Sequence, residues 1–221
     1  MSELFVKRCS TYIALFLAYI AVWADVVFSL PEPTAFSALW FIVSAIKNTI
    51  RIVFVLYIAS HMSIFMGRRW RQAFEHLPSR PELRGALSVM LLSLGCAGIG
   101  MAVSWLSGLS NPLFVQYRHD AEMHLLLILL SSLSVGYAEE LFFRFFLIDG
   151  LIEAGVTFGS AAIVSSLVFG LSHASQGMFG IAFVGLLAAF YTGLRFRGYG
   201  LHSLALGHAL YDVIALLFVL A

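Results

Sequence analysis

Seven long, nearly uncharged runs divide this chain, at roughly residues 10–30, 37–66, 85–108, 121–150, 157–175, 178–195 and 201–220. An apolar run of about 20 residues is the length of helix that crosses a hydrocarbon core about 30 Å thick. Seven in succession leave little choice of architecture. The expected fold is all-α, a polytopic transmembrane bundle of about seven helices with a polar active-site cavity in its C-terminal half. The second run carries Lys47, Asn48 and Arg51, so it is read as one long helix lying partly in a groove or as two pieces, which would make eight. The fourth run exceeds one crossing and is expected to tilt.

Composition closes off the soluble classes. The 221 residues are 61% hydrophobic and 11% charged, against about 25% charged in soluble domains. The first apolar run, Tyr12 to Leu30, is too long for a signal-peptide core and lacks a small-residue cleavage site, so it is expected to be retained. Cys9 sits beside Lys7 and Arg8 while Cys96 lies inside a span, which argues against a disulfide between them. A net charge of +1, with no glycine-rich phosphate loop, CxxC pair or repeat, gives no reason to expect a nucleic-acid partner.

Basic residues set the orientation. Lys7, Arg8, Arg68, Arg69, Arg71, Arg80, Arg84, Arg195 and Arg197 fall on one side of a seven-span arrangement, and Arg118 falls on the other. The N-terminus is therefore expected in the cytoplasm. Residues 67–84 become the main cytoplasmic loop, with Arg68, Arg69, Trp70 and Arg71 suited to anionic lipid headgroups. Residues 1–120 are read as N-terminal membrane helices with this basic loop, and 121–221 as the catalytic core of the same membrane unit.

Polar residues inside the spans carry the functional information, because a charge at mid-bilayer costs roughly 2.5–3.5 kcal/mol on insertion scales. Three clusters stand out. In 139-EELFFR-144, Glu140 and Arg144 are four apart and pair in the favourable orientation, whereas Glu139 points about 100° away. Glu140 is thereby neutralised and structural, and Glu139 is left for chemistry. In 169-FGLSH-173, Phe169 and His173 share a face, as do His208 and Asp212 in 208-HALYD-212. Counted from the expected helix ends at Gly150, Val156 and Gly200, the depths of Glu139, His173 and His208 are about 16, 25 and 12 Å. One shared site reached from the cytoplasmic side is feasible. A single membrane histidine or a Glu–Arg pair is ordinarily structural, but three acids and two histidines on neighbouring helices are best accounted for by one pocket. His61, His76, His119, His124 and His202 are read as interfacial, and Asp25 has no evident partner.

These motifs, Glu139-Glu140-Leu-Phe-Phe-Arg144, Phe169-Gly-Leu-Ser-His173 and His208-Ala-Leu-Tyr-Asp212, resemble those of the CPBP family of CAAX proteases and bacteriocin-processing enzymes, also called Abi. The resemblance covers about residues 134–221, and Tyr191 to Gly193 resembles the loop approach to the family's last motif. It implies a metal-independent glutamic intramembrane endopeptidase. In that reading Glu139 activates water with help from His173, His208 and residue 212 hold the oxyanion, and Glu140 with Arg144 braces the site, Phe169 supporting it. Asp212 departs from the asparagine that many members carry. An ionised aspartate cannot donate to an oxyanion, so it either orients His208 or donates when protonated.

The implied cofactor set is empty. The mechanistic alternative is a zinc ion on Glu139, His173 and His208, although no HExxH-type spacing is present. Two non-proteolytic alternatives are a membrane immunity or scaffold protein and a proton-coupled transporter. The latter would favour inverted repeats, and none is evident between the halves. The partners implied are the lipid bilayer and a membrane-associated protein or peptide, cut near the cytoplasmic side during precursor processing or removal of a C-terminal sorting signal. The short chain looks prokaryotic, with the inner membrane as its place.

Overall fold

The computed structural model describes residues 3–28, 33, 35–61, 72–108 and 125–220. Within them the chain is helical, without a strand. The helices are α1 (Glu3–Val22), α2 (Ala24–Val27), α3 (Ala38–His61), α4 (Arg80–Ser107), α5 (Leu125–Glu139), α6 (Ile148–Glu153), α7 (Phe158–Leu171), α8 (Gly177–Phe196) and α9 (Leu201–Leu220). Glu140–Leu147 joins α5 to α6 as a π-helical stretch, and short 3₁₀ turns occupy Gln72–Glu75 and Ala174–Gln176.

Each of the seven apolar runs carries a helix. Among the described residues, five spans are long and apolar enough to cross a membrane: Ala38–Ser60, Arg80–Ser107, Leu125–Glu153, Ala174–Phe196 and Leu201–Val219. The first and fifth runs form shorter apolar helices, Arg8–Val22 and Phe158–Leu171. The break considered for the second run is absent from Ala38–His61, which is one helix. Outward-facing Trp105, Leu126 and Phe196 suit a lipid solvent as apolar as they are.

Lys47, Asn48 and Arg51 stay on an unbroken α3 because α1 and α2 supply their partners. Asp25 stands 2.6 Å from Lys47 and also pairs with Arg51. Arg51 donates from Nε to the Val22 carbonyl at 2.9 Å and from Nη1 to Asn48 Oδ1 at 2.8 Å. Its guanidinium lies 3.9 Å from the Trp23 ring centroid. The aspartate without a partner in its own run finds two cations on the next helix.

Small residues bring the remaining helices close, as packing between membrane helices requires. A Cβ on Gly136 of α5 would come 2.5 Å from the Ala205 carbonyl oxygen of α9, and one on Gly170 of α7 would come 2.7 Å from that of Ile181 in α8. The core centres on the π-helical stretch, where Leu141, Phe142, Phe143 and Phe146 are fully buried. Trp23 packs on Phe142 and Phe143, so the N-terminal helices also bear on this stretch.

Arg8, Arg195 and the start of α4, which carries Arg80 and Arg84, bear on neighbouring helix ends, whereas Lys47, Arg51 and Arg144 are held inside by acids. Arg8 lies against Gly155, and Arg195 pairs with Asp149 at 2.5 Å. Gly85, one residue beyond Arg84, meets Ser203, close to the start of α9. Arg68, Arg69, Trp70, Arg71, Arg118, His119 and His124 lie outside the described residues.

Candidate active site

Glu139 closes α5 and Glu140 opens the π-helical stretch. A π-turn takes one more residue than an α-turn, is rare, and occurs most often at functional sites. Its hydrogen bonding leans on other helices: Ser165 of α7 donates to the Phe143 carbonyl at 2.6 Å, and Arg195 of α8 donates to that of Arg144.

The change of helical type alters the geometry expected of the two glutamates. Instead of diverging, both carboxylates reach one imidazole. Glu140 Oε1 stands 3.0 Å from His208 Nδ1, and Glu139 Oε2 stands 3.7 Å from Nε2. Asp212 Oδ2, one turn along α9, lies 3.7 Å from the same Nε2. Gly136 makes this possible by letting α9 approach α5 three residues before the glutamates.

The expected Glu140–Arg144 pair is present, Nε to Oε2 at 3.3 Å, with both residues essentially without solvent exposure. Glu140 is thus shared between Arg144 and His208 rather than closed off by the arginine. Arg144 in turn lies with its guanidinium 4.5 Å from the Phe169 ring centroid, and that ring packs 4.9 Å from the ring of His173. Phe169 is therefore the physical link between the first two motifs, a cation–π platform on one side and a wall for the histidine on the other.

His173 lies just past the end of α7, in the turn leading to Ala174–Gln176. Its Nδ1 is 3.0 Å from the Phe169 carbonyl oxygen, a contact in which the ring N–H must donate. In the neutral imidazole Nε2 then carries the lone pair. A cavity of about 120 Å³ joins His173 to Glu140, Arg144, His208 and Asp212. That volume exceeds the ~30 Å³ share of one liquid water. Glu139 is not among the lining residues; it reaches the cluster through His208 and is 9% exposed.

Three polar lining residues have no site role in the sequence reading: Gln176, Tyr191 and Tyr211. Tyr191 packs edge-on to His208 at 5.6 Å between ring centroids, and its hydroxyl meets Ser93 Oγ of α4 at 2.8 Å. The Tyr191–Gly193 segment lies inside α8, as the apolar run over 178–195 implies, and the helix ends three residues later at Phe196. Tyr211 and Gln176 also face the cavity. The usable signals were an isolated tyrosine in a Gly/Ala/Leu helix and a glutamine three residues after His173.

His202 lies in the first turn of α9, as expected, but is only 4% exposed, because it packs against Tyr137, whose hydroxyl is 2.5 Å from its Nδ1. His76 is exposed, as expected for a loop. Glu139, His173 and His208 do not form a converging metal set; among the described residues the three-ligand group that converges is His76, Glu82 and His202.

Neither a curated protein nor a solved structure matches the chain. One family model does, over residues 121–214, described as Type II CAAX prenyl endopeptidase Rce1-like. That is a peptidase family, and its match spans all three motifs. With five spans able to cross a bilayer, this is an integral membrane protein whose residues 121–214 match the Rce1-like family within the CPBP group that the motifs resemble.

Proposed function

We propose that this protein is an intramembrane endopeptidase in which Glu139 activates water to cleave a peptide bond of a membrane-associated protein or peptide near the cytoplasmic face. The observation that carries this reading is that side chains of all three motifs line one small cavity and that His208, one of them, also meets Glu139.

The roles follow from what each group already does. Glu140 is occupied by Arg144 and His208, whereas Glu139 has no arginine partner among the described residues and retains some exposure, so its lone pairs are the ones available to water. His173, with Nδ1–H given to the Phe169 carbonyl, offers Nε2 as a second acceptor for that water. Glu139 takes the proton as the water oxygen bonds to the scissile carbonyl carbon. As an imidazolium, His208 gives Nδ1–H to Glu140 and presents Nε2–H to the developing oxyanion, while Asp212 orients the ring. The proton then passes to the leaving amine as the C–N bond breaks. No step calls on a metal.

The surroundings fit this chemistry. Preorganised donors in a site shielded from water stabilise developing charge far better than they do in bulk. Glu140, paired with Arg144, contacts His208, the Phe169 ring contacts His173, and both histidines line the cavity. Arg8 against Gly155 and Arg195 on Asp149, both near helix ends, support a cytoplasmic placement for that end and with it a cytoplasmic N-terminus; the membrane in this reading is a prokaryotic inner one.

The test is cleavage by the purified protein in liposomes, offered a panel of membrane-anchored peptides with and without a chelator. The set includes precursor-type peptides and C-terminal sorting signals. Cleavage that survives the chelator and is lost in Glu139→Gln and His208→Ala is the expected result. Cleavage abolished by chelator and restored by zinc would replace the mechanism with a metal-dependent one, and a cellular function that survives Glu139→Gln would sink the protease reading.

A further inference from the structure

Away from the catalytic cluster, the side chains of His76, Glu82 and His202 each offer a ligand atom, and these atoms lie within 4.8 Å of one another. They come from three separate places: the segment before α4, the first turn of α4 and the first turn of α9. We propose that they form a binding site for one divalent transition metal of the zinc class, which ties these three segments together beside the catalytic helix α9.

Donor chemistry is the first argument. Two imidazoles and one carboxylate are a set that zinc takes with three protein ligands, leaving the fourth position to water. Oxygen-seeking cations such as magnesium and calcium are poorly served by two nitrogens.

The second argument is orientation. A metal-binding histidine nearly always gives its other ring N–H to an acceptor, which fixes tautomer and aim. His76 Nδ1 stands 3.1 Å from the Leu77 carbonyl oxygen, and His202 Nδ1 stands 2.5 Å from the Tyr137 hydroxyl. With Nδ1 engaged in both rings, Nε2 is the nitrogen through which each would coordinate. The carboxylate is held in the same manner. Glu82 Oε2 accepts from Ser79 N at 2.8 Å and Ser79 Oγ at 2.6 Å in a capping box, so Oε1 is the oxygen to coordinate.

Distances fit after a small closure. Tetrahedral zinc with bonds of about 2.0–2.1 Å places its ligand atoms about 3.4 Å apart, so separations of up to 4.8 Å must contract by at most about 1.4 Å. His76 is on an exposed segment and can supply that movement, while His202 is buried and Glu82 is anchored in its capping box.

The site has a consequence for the catalytic cluster. His202 and His208 are six residues apart on α9, about 9 Å along the helix, and Tyr137 precedes Glu139 by two. A metal here holds the start of α9 against α4, and Tyr137 carries that hold to α5. It is nonetheless independent of the proteolytic reading, because it concerns different ligands.

Full-length, tag-free protein in detergent, stripped with chelator and dialysed, would be titrated with Co²⁺ as a spectroscopic stand-in for zinc. We expect visible bands of low-symmetry Co²⁺ saturating at one equivalent per chain and displaced by Zn²⁺. Zinc should also raise the thermal unfolding midpoint. His76→Ala, on an exposed segment, and Glu82→Gln, which retains the capping geometry, should each weaken binding at least tenfold. Tyr137→Phe should weaken it about 10–100-fold, as is usual for an orienting partner. His208→Ala should bind as the parent does. Absence of stoichiometric binding would overturn the proposal. So would binding that persists in His76→Ala and Glu82→Gln but vanishes in His208→Ala, since that metal would sit in the catalytic cluster.

Discussion

Two groups of charged residues occupy the apolar interior, and they are built on different plans. Around Arg51, every described contact closes the group. Asp25 takes both cations, Arg51 spends its other donors on a backbone carbonyl and Asn48, and Trp23 covers its face. Around His208 the chemistry is left open. Three carboxylates share one imidazole and one arginine, and Glu140 Oε2 and Arg144 Nε and Nη1 make no hydrogen bond. A cavity adjoins each group, about 470 Å³ beside Lys47 and Arg51 and about 120 Å³ here, so the unsatisfied charged atoms are what tell the two apart. Buried polar groups in folded proteins are nearly always satisfied, so an unsatisfied cluster calls for a reason other than stability. The contrast separates a polar group that holds helices together from one that is kept available for a reaction.

Glu139→Gln should separate the two most sharply. A positioned general base contributes about 10²–10⁴-fold, so the cleavage rate should fall by that factor. Thermal unfolding should hardly move, because Glu139 contacts the cluster only at 3.7 Å. A large drop in stability with retained activity would erase the distinction drawn above.

Asp25→Asn should do the reverse. It leaves Arg51 buried without its acid, and breaking a buried pair in this way typically costs about 3–5 kcal/mol. The folded fraction should cleave at close to the parent rate. Combining Asp25→Leu with Arg51→Leu should recover most of the stability, since apolar replacements of a whole buried pair are often neutral. Denaturation in a defined detergent, alongside specific activity, reads both quantities. His208→Ala comes next in size: losing an oxyanion donor typically costs about 2.7–4 kcal/mol in the barrier, seen as a fall in kcat of about 10²–10³-fold with little change in KM.

The same contrast governs what could be read from the sequence. Long apolar runs are legible because a bilayer fixes their length, and each of the seven became a helix. Four-residue pairs were legible for the same kind of reason, and Glu140–Arg144, Phe169–His173 and His208–Asp212 all meet. What depended on a second helix was not. Asp25 finds its cations 22 and 26 residues away, on α3, and Tyr191 finds its hydroxyl partner in Ser93, 98 residues distant. Nor does an α-helical wheel reveal that a π-helical stretch begins at Glu140 and brings both glutamates to His208. His202 looked interfacial because its position at a helix start says nothing of the tyrosine on α5 that meets it.

The smallest effect is expected at Asp212, and it is the most informative about the open cluster. If Asp212 serves by orienting His208, a neutral amide of the same shape should do nearly as well. Its oxygen can still accept from Nε2–H, and Glu140 keeps its hold on Nδ1 at 3.0 Å. Asp212→Asn should therefore change kcat/KM by less than about tenfold, within 1.4 kcal/mol. Asp212→Leu should lose more, because Nε2 is then left with Glu139 alone, the group that must also hold water. Were Asp212→Asn to fall as far as Glu139→Gln, the carboxylate itself would be a reacting group, and the division of labour between the two acids flanking His208 Nε2 would have to be reversed. Initial-rate measurements on both variants, with the parent's stability as control, decide between these outcomes.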